Sequence, residues 1–180
     1  MESIIGTTEY LCVPAVVSSA VYQLTGRSWP VPEIARELGV QVLNGWSNPH
    51  GLGVTHNLAD VGITLAESAV RIPEWLAKSQ AGVAFEEVPN LFGSIEQIVH
   101  LVSAANRRGD IMAATLDWAR LYGGMVAARH VVILELYGLR EVSVYDSTQA
   151  PERQRTTFPT RRFDIAMDQV DGVFWRFFRS

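Results

Sequence analysis

Three residues in this chain carry the groups needed for nucleophilic acyl transfer: Cys12, His130 and Asp146. A thiolate attacks a carbonyl carbon, an imidazole takes up and returns the proton, and a carboxylate fixes the imidazole tautomer. Each has a plainer reading when taken alone. A lone cysteine is commonly a small buried hydrophobe. His130 stands at the start of a β-branched run, where a histidine can simply end a strand. Asp146 opens Asp146-Ser147-Thr148, a turn-forming triplet. The set gains weight from its order in the chain and from the elements that must position it.

Cys12 precedes the apolar run Val13 to Leu24, in which Val13, Val17, Val21 and Leu24 fall at helical spacing. Pro14 suits a first helical turn, where its missing N–H costs little, and Gly26 is the expected C-cap. Cys12 is therefore expected at the N-terminus of a buried helix, where unpaired N–H groups and the positive dipole end favour a thiolate. The segments His130–Leu136 and Val142–Tyr145 read as a β-hairpin with its turn centred between Gly138 and Leu139. That register sets His130 opposite Ser147, one position from Asp146. Direct cross-strand neighbours have Cβ atoms within about 5.5 Å and diagonal ones within about 8 Å, close enough for a carboxylate to hold an imidazole N–H.

The remaining elements divide the chain into a helical half and a sheet half. Val31 to Gly39 reads as a short helix with Pro32 near its start and Gly39 as its stop. Asn44 to Gly51 is a glycine-rich loop, Val54 to Val61 a second short helix, and Ile63-Thr64-Leu65 a short strand. The stretch from Ala66 to Phe92 is less legible, with a helical turn or two at Pro73–Ala77 and a strand at Val83–Phe85. Ser94 followed by Gln97 is a capping-box pattern, and Arg107, Arg108 and Gly109 end the helix that it opens. Ile111–Leu116 is a strand, Asp117–Arg129 a loop containing Gly123-Gly124, Pro151–Arg162 a basic loop, and Val173–Phe178 a final strand. Helices followed by antiparallel strands argue an α+β fold, read as one domain over residues 1–180.

Composition narrows the function classes. The 180 residues are 48% hydrophobic and 19% charged, with a net charge of −4, which argues against a nucleic-acid binder by charge. Lys78 is the only lysine, and the excess of arginine reads as compositional bias. One cysteine allows no internal disulfide. No basic-then-apolar leader is visible at the start and no apolar run reaches spanning length. A cytoplasmic protein, or one exported by a route needing no signal peptide, is expected.

In the order and spacing of its motifs the chain resembles the papain-like cysteine peptidases, and within them the compact bacterial group related to bacteriocin leader peptidases, which cut after double-glycine leaders. The residues that carry the resemblance are Cys12-Val13-Pro14-Ala15, the helix ending at Gly39, His130-Val131-Val132-Ile133 and Val144-Tyr145-Asp146-Ser147, spread from about Thr8 to Phe178. The resemblance implies Cys12 as nucleophile, His130 as general base and then acid, and Asp146 as the orienting residue. Two departures stand out. The family has glycine after the cysteine where this chain has Val13, whose branched side chain would either narrow the cleft or alter which backbone approaches the substrate. It also has a glutamine before the cysteine that donates to the oxyanion, and no glutamine precedes Cys12 here. Thr7, Thr8 or a backbone N–H would have to substitute, and losing one such donor typically costs on the order of 10²–10³ in rate.

The expected function is hydrolysis of a peptide or isopeptide bond through an acyl-enzyme, with a peptide or protein substrate and no cofactor, metal, nucleic acid or membrane involved. Two alternatives stay open. One is a papain-like deamidase, transglutaminase or acyltransferase acting on a protein side chain, as in bacterial effectors. The other is a catalytically dead binding module. His50, His56 and Asp60 lie near one another in sequence but lack a zinc pattern. His100 reads as part of a solvated helix face with Glu96 and Ser103. Arg153, Arg155, Arg161 and Arg162 read as a solvated basic loop. The five tryptophans read as core or cleft packing.

Overall fold

A computed structural model describes residues 11–40, 65–124 and 129–180. The elements run α1 (Cys12–Thr25), α2 (Val31–Glu37), α3 (Leu65–Lys78), β1 (Val83–Pro89), α4 (Ile95–Arg108), β2 (Ile111–Asp117), α5 (Trp118–Tyr122), β3 (Arg129–Tyr137), β4 (Glu141–Tyr145), a 3₁₀ turn (Pro151–Arg153), β5 (Arg155–Pro159), α6 (Thr160–Asp168) and β6 (Val173–Arg179). The strands form one antiparallel sheet in the order β1-β6-β2-β3-β4-β5. The architecture is the expected α+β fold, with the N-terminal helices packed on a C-terminal antiparallel sheet.

Successive strand residues point to opposite faces, so the sheet sorts its apolar residues into two cores. Ala113, Val131, Ile133, Trp175 and Phe177 face α1, α2 and α3, meeting Val17, Val21, Ile34, Ile72 and Trp75. Met112, Ala114, Val132, Leu134, Val144 and Phe174 face α4, α5 and α6, meeting Val102, Leu121, Phe163 and Met167. α1 is apolar on nearly every side because nearly every side is buried: of its 14 residues, only Tyr22 and Gln23 are exposed. Gly26 ends it in the left-handed conformation, φ 73°, its N–H bonded to the carbonyl of Tyr22.

Several expectations need correction. The segment Asp117–Arg129 is not wholly a loop. Asp117 accepts a hydrogen bond from the Ala119 N–H at 2.9 Å and so caps the short helix α5, which Gly123 closes at φ 86°. The basic segment Pro151–Arg162 contains the 3₁₀ turn, all of β5 and the start of α6. β5 is an edge strand with only Phe158 buried, so it lacks the alternation that marks a half-buried strand. Leu65 begins α3 rather than ending a strand, and α3 runs four turns through Pro73. Ser94 holds the N-cap position of α4, but no capping box forms. The Ser94 side chain makes no cap bond, and Gln97 Oε1 accepts from the Gly93 N–H at 2.9 Å. The loop at Asn44–Gly51, the helix at Val54–Val61 and residues Ile63 and Thr64 fall outside the described residues.

The hairpin register also differs. The turn lies at Leu139-Arg140, with the Gly138 N–H bonded to the Glu141 carbonyl, and it is tied down by Thr160, whose Oγ1 donates to the Gly138 carbonyl at 2.7 Å. Leu136 pairs with Ser143, two places from expectation. An irregularity between Leu134 and Leu136 takes up one residue, and Ile133 pairs with Tyr145, one place from expectation. The bulge thus restores most of the register by the time β3 reaches His130.

Candidate active site

Cys12 is the first residue of α1, with Leu11 before it and Gly26 at the far end. The Ala15 N–H closes the first helical bond onto the Leu11 carbonyl at 2.9 Å. Pro14 has no N–H, so the N–H groups of that first turn without a partner inside the helix include those of Cys12 and Val13. The Val13 side chain is buried in the core beneath α1, with Val16, Val17 and Val131 in the same cluster. It therefore contributes to packing, in the same cluster as Cys12.

His130 is the second residue of β3, opposite Leu116 on β2. It is 5% exposed and Asp146 only 1%. The imidazole Nε2 lies 2.7 Å from Asp146 Oδ2. The Cys12 side chain also acts on this imidazole and favours its charged form. With Nε2 turned to the carboxylate, Nδ1 is the ring nitrogen left for sulfur. The fold thus brings together all three residues singled out in the sequence: one from a helix start, one from a strand start and one from just beyond a strand end.

Asp146 is held from several directions. Its backbone N–H donates to the Gln154 carbonyl at 2.7 Å. Its Oδ1 accepts from the Thr148 N–H at 3.0 Å and from the Thr148 hydroxyl at 2.6 Å. Its Oδ2, besides facing His130, accepts from the Tyr122 hydroxyl at 2.8 Å and from Gln149 Nε2 at 3.3 Å. The Tyr122 ring meets the imidazole edge-on, with centroids 6.3 Å apart, and packs at right angles on Phe158 at 5.4 Å.

This geometry sets the charges. Burial alone would discharge the imidazole, but the Asp146 carboxylate against it outweighs burial, and Cys12 adds to the effect, so His130 is pushed up to about 10. Burial likewise opposes the Asp146 anion. The His130 cation overcomes it, helped by the Thr148 and Tyr122 donors, and holds the carboxyl well below its usual range. Burial, then the neighbouring Asp146 anion, raises the Tyr122 hydroxyl far above the ordinary phenol range, so it stays a donor at any working pH. The arrangement supplies a buried imidazolium–carboxylate pair beside a buried thiol.

Tyr122, Thr148 and Gln149 were not singled out in the sequence. Thr148 had a local signal, since Asp146-Ser147-Thr148 is the pattern of a side chain bonding its own backbone two residues on. Tyr122 had none, because α5 is only five residues long. Elsewhere, His100 is exposed on α4. Trp75 and Trp175 are buried in the core, Trp29 stacks edge-on against Trp75 and Trp118 leans on Tyr122. Of the basic segment, Arg155 pairs with Glu135 at 2.8 Å, while Arg161 and Arg162 line a shallow surface cavity of about 380 Å³ with Arg120. Among the described residues no group of three His, Cys, Asp or Glu side chains is placed to hold a metal ion, and no helix is long and apolar enough to cross a membrane. His50, His56, Asp60 and Trp46 fall outside the described residues, as do Thr7 and Thr8.

No protein-family model matches the chain, and no curated protein matches it in sequence. Its structure does have a counterpart. A crystal structure of a Bacillus anthracis protein described as a C39-like peptidase superposes with a TM-score of 0.62 at 14% identity, covering 100% of this chain and 94% of that one. The Pseudomonas avirulence protein AvrPphB aligns at 9% identity over 97% of this chain and 96% of its own, but its TM-score of 0.31 carries no weight for the fold. The fold is therefore the papain-like one to which the sequence motifs pointed, in the variant seen in the C39-like structure.

Proposed function

We propose that this chain is a thiol-dependent hydrolase of peptide or isopeptide bonds. One observation carries the reading: a single buried imidazole is bonded to Asp146 Oδ2 at 2.7 Å and interacts electrostatically with Cys12 at the start of α1. The shared fold with a structure described as a peptidase supports it. In this reading Cys12 Sγ attacks the carbonyl carbon as a thiolate beside the His130 imidazolium. His130 then gives its proton to the leaving amine, and the C–N bond breaks to leave an acyl-enzyme. Water enters, His130 takes one of its protons, and attack on the thioester releases the acid and restores the thiol. Asp146 keeps the imidazole in one tautomer and orientation throughout. The N–H groups of Cys12 and Val13, which have no partner within α1, are the described donors best placed by chemistry to meet the developing oxyanion.

The test needs no knowledge of the substrate. Alkylation of the single thiol by iodoacetamide should remain fast at acidic pH in the wild type and become slow there in His130→Ala. Turnover of a fluorogenic peptide library should vanish in Cys12→Ala. An alkylation profile of an ordinary thiol that His130→Ala does not change would overturn the reading.

A further inference from the structure

The Asp146 carboxylate is not shared equally between its neighbours. Thr148 occupies Oδ1 with two donors, its N–H at 3.0 Å and its hydroxyl at 2.6 Å. Oδ2 is the oxygen that faces the imidazole, and a carboxylate oxygen has two lone pairs in its plane. One takes His130 at 2.7 Å. The other takes the Tyr122 hydroxyl at 2.8 Å, with Gln149 a more distant third at 3.3 Å. The site is nearly closed to solvent, so little water competes for that second lone pair. A donor on an anion's oxygen draws charge toward itself, and at low dielectric the effect on the other partner is felt strongly. Asp146, Cys12 and Tyr122 are the titratable groups that face His130 among the described residues.

We propose that Tyr122 is a positioning residue that, by donating to Asp146 Oδ2, withdraws part of the negative charge seen by His130 and so limits how tightly the imidazole keeps its proton. This rests on the reading of His130 as acid and base. An imidazolium gripped by an undiluted carboxylate is a poor proton donor to a leaving amine. A hydroxyl that stays protonated across the working range can attenuate that grip without titrating itself. The role falls to α5, a helix too short to stand alone, which Asp117 caps and Gly123 terminates so that Tyr122 arrives over the pair.

The direction of the effect separates this role from a structural one. Losing a packing support would loosen the His130–Asp146 pair, admit water and lower the imidazole titration. Losing a charge-sharing donor raises it. The experiment is an NMR titration of the histidine ring protons in the full chain, with the His130 signal identified by its absence in His130→Ala among the four histidines. Tyr122→Phe keeps the ring and deletes the hydroxyl. It should raise the His130 midpoint by about half a unit or more. Gln149→Leu, which removes the weaker donor to the same oxygen, should raise it by less. In parallel, fluorogenic peptide turnover should fall several-fold in Tyr122→Phe while iodoacetamide alkylation of Cys12 at neutral pH changes little. A midpoint that stays or falls in Tyr122→Phe overturns the inference. The titration requires no catalysis, so it stands apart from the alkylation test. If Cys12 alkylation ignores His130, the hydrolase reading fails whatever Tyr122 does. If alkylation behaves as expected but the His130 midpoint does not rise, only the role of Tyr122 fails.

Discussion

Two tyrosine–aspartate pairs lie on the same side of the sheet, and their carboxyls are shifted in opposite directions. Tyr122 donates to Asp146, just past the end of β4, and Tyr137 at the end of β3 donates to Asp164 on α6. Both hydroxyls are pushed far up, by burial first and by the aspartate second. The two carboxyls diverge. Asp164 is raised, because burial works on it unopposed by any cation and Asp168 adds like charge, while the Tyr137 hydrogen bond offsets only part. Asp146 is more deeply buried yet lowered, because His130 stands 2.7 Å away. A tyrosine and burial alone do not lower a carboxyl's pKa in this protein. The imidazolium does, and it is what sets the candidate site apart from a structural contact made of similar parts.

The largest test of that contrast removes the cation. His130→Ala should leave Asp146 buried with neutral donors only, costing on the order of 3 kcal/mol at neutral pH, as broken buried pairs do, and read as a fall in the denaturant midpoint. If stability is unchanged, the pair is not what holds that end of the sheet. The second test is pH dependence, and its sign follows from the shifts. His130 is raised from 6.5 to about 10, so its stabilisation is complete below pH 6.5 and is lost as pH climbs toward 10. Asp146 is lowered from 3.8, so its share is present above that value and is lost as pH falls below it. Wild-type stability should therefore decline between about pH 7 and pH 10 more steeply than that of His130→Ala, measured by denaturant midpoints across that window. The smallest effect belongs to the other pair. Asp164 is raised, so its contribution is full below 3.8 and is lost as pH rises through its shifted value. Asp164→Asn, which still accepts from Tyr137, should change stability by no more than about 1 kcal/mol. A large loss there would mean that the two pairs are more alike than their surroundings suggest.

The sequence was most legible where a local pattern had a strong physical cause. The helical run after Cys12, with Pro14 in its first turn and Gly26 at its end, predicts α1 to within a residue. The β-branched segments starting at His130 and Val142 predict β3 and β4, and alternation places His130 and Asp146 near enough to meet despite a misplaced turn. Legibility failed where the stabilising partner is distant in sequence. β5 is a strand because β4 offers it an edge, with Val142 opposite Phe158, and only one of its five side chains is buried to leave a trace. α6 is a helix whose apolar Phe163, Ala166 and Met167 follow two exposed arginines, and the charge masked the period.

The residue types, their order and the helix-start setting of Cys12 were thus fixed by the chain itself, since they depend on interactions within a few positions. What only the tertiary structure decided is the environment of the pair. Tyr122 reaches Asp146 across 24 positions, and Cys12 reaches His130 from the opposite end of the chain. Val13, beside the nucleophile in sequence, is buried in the core together with Val16, Val17 and Val131. Burial and charge pairing are sums over neighbours, and those neighbours exist only once the sheet has gathered them.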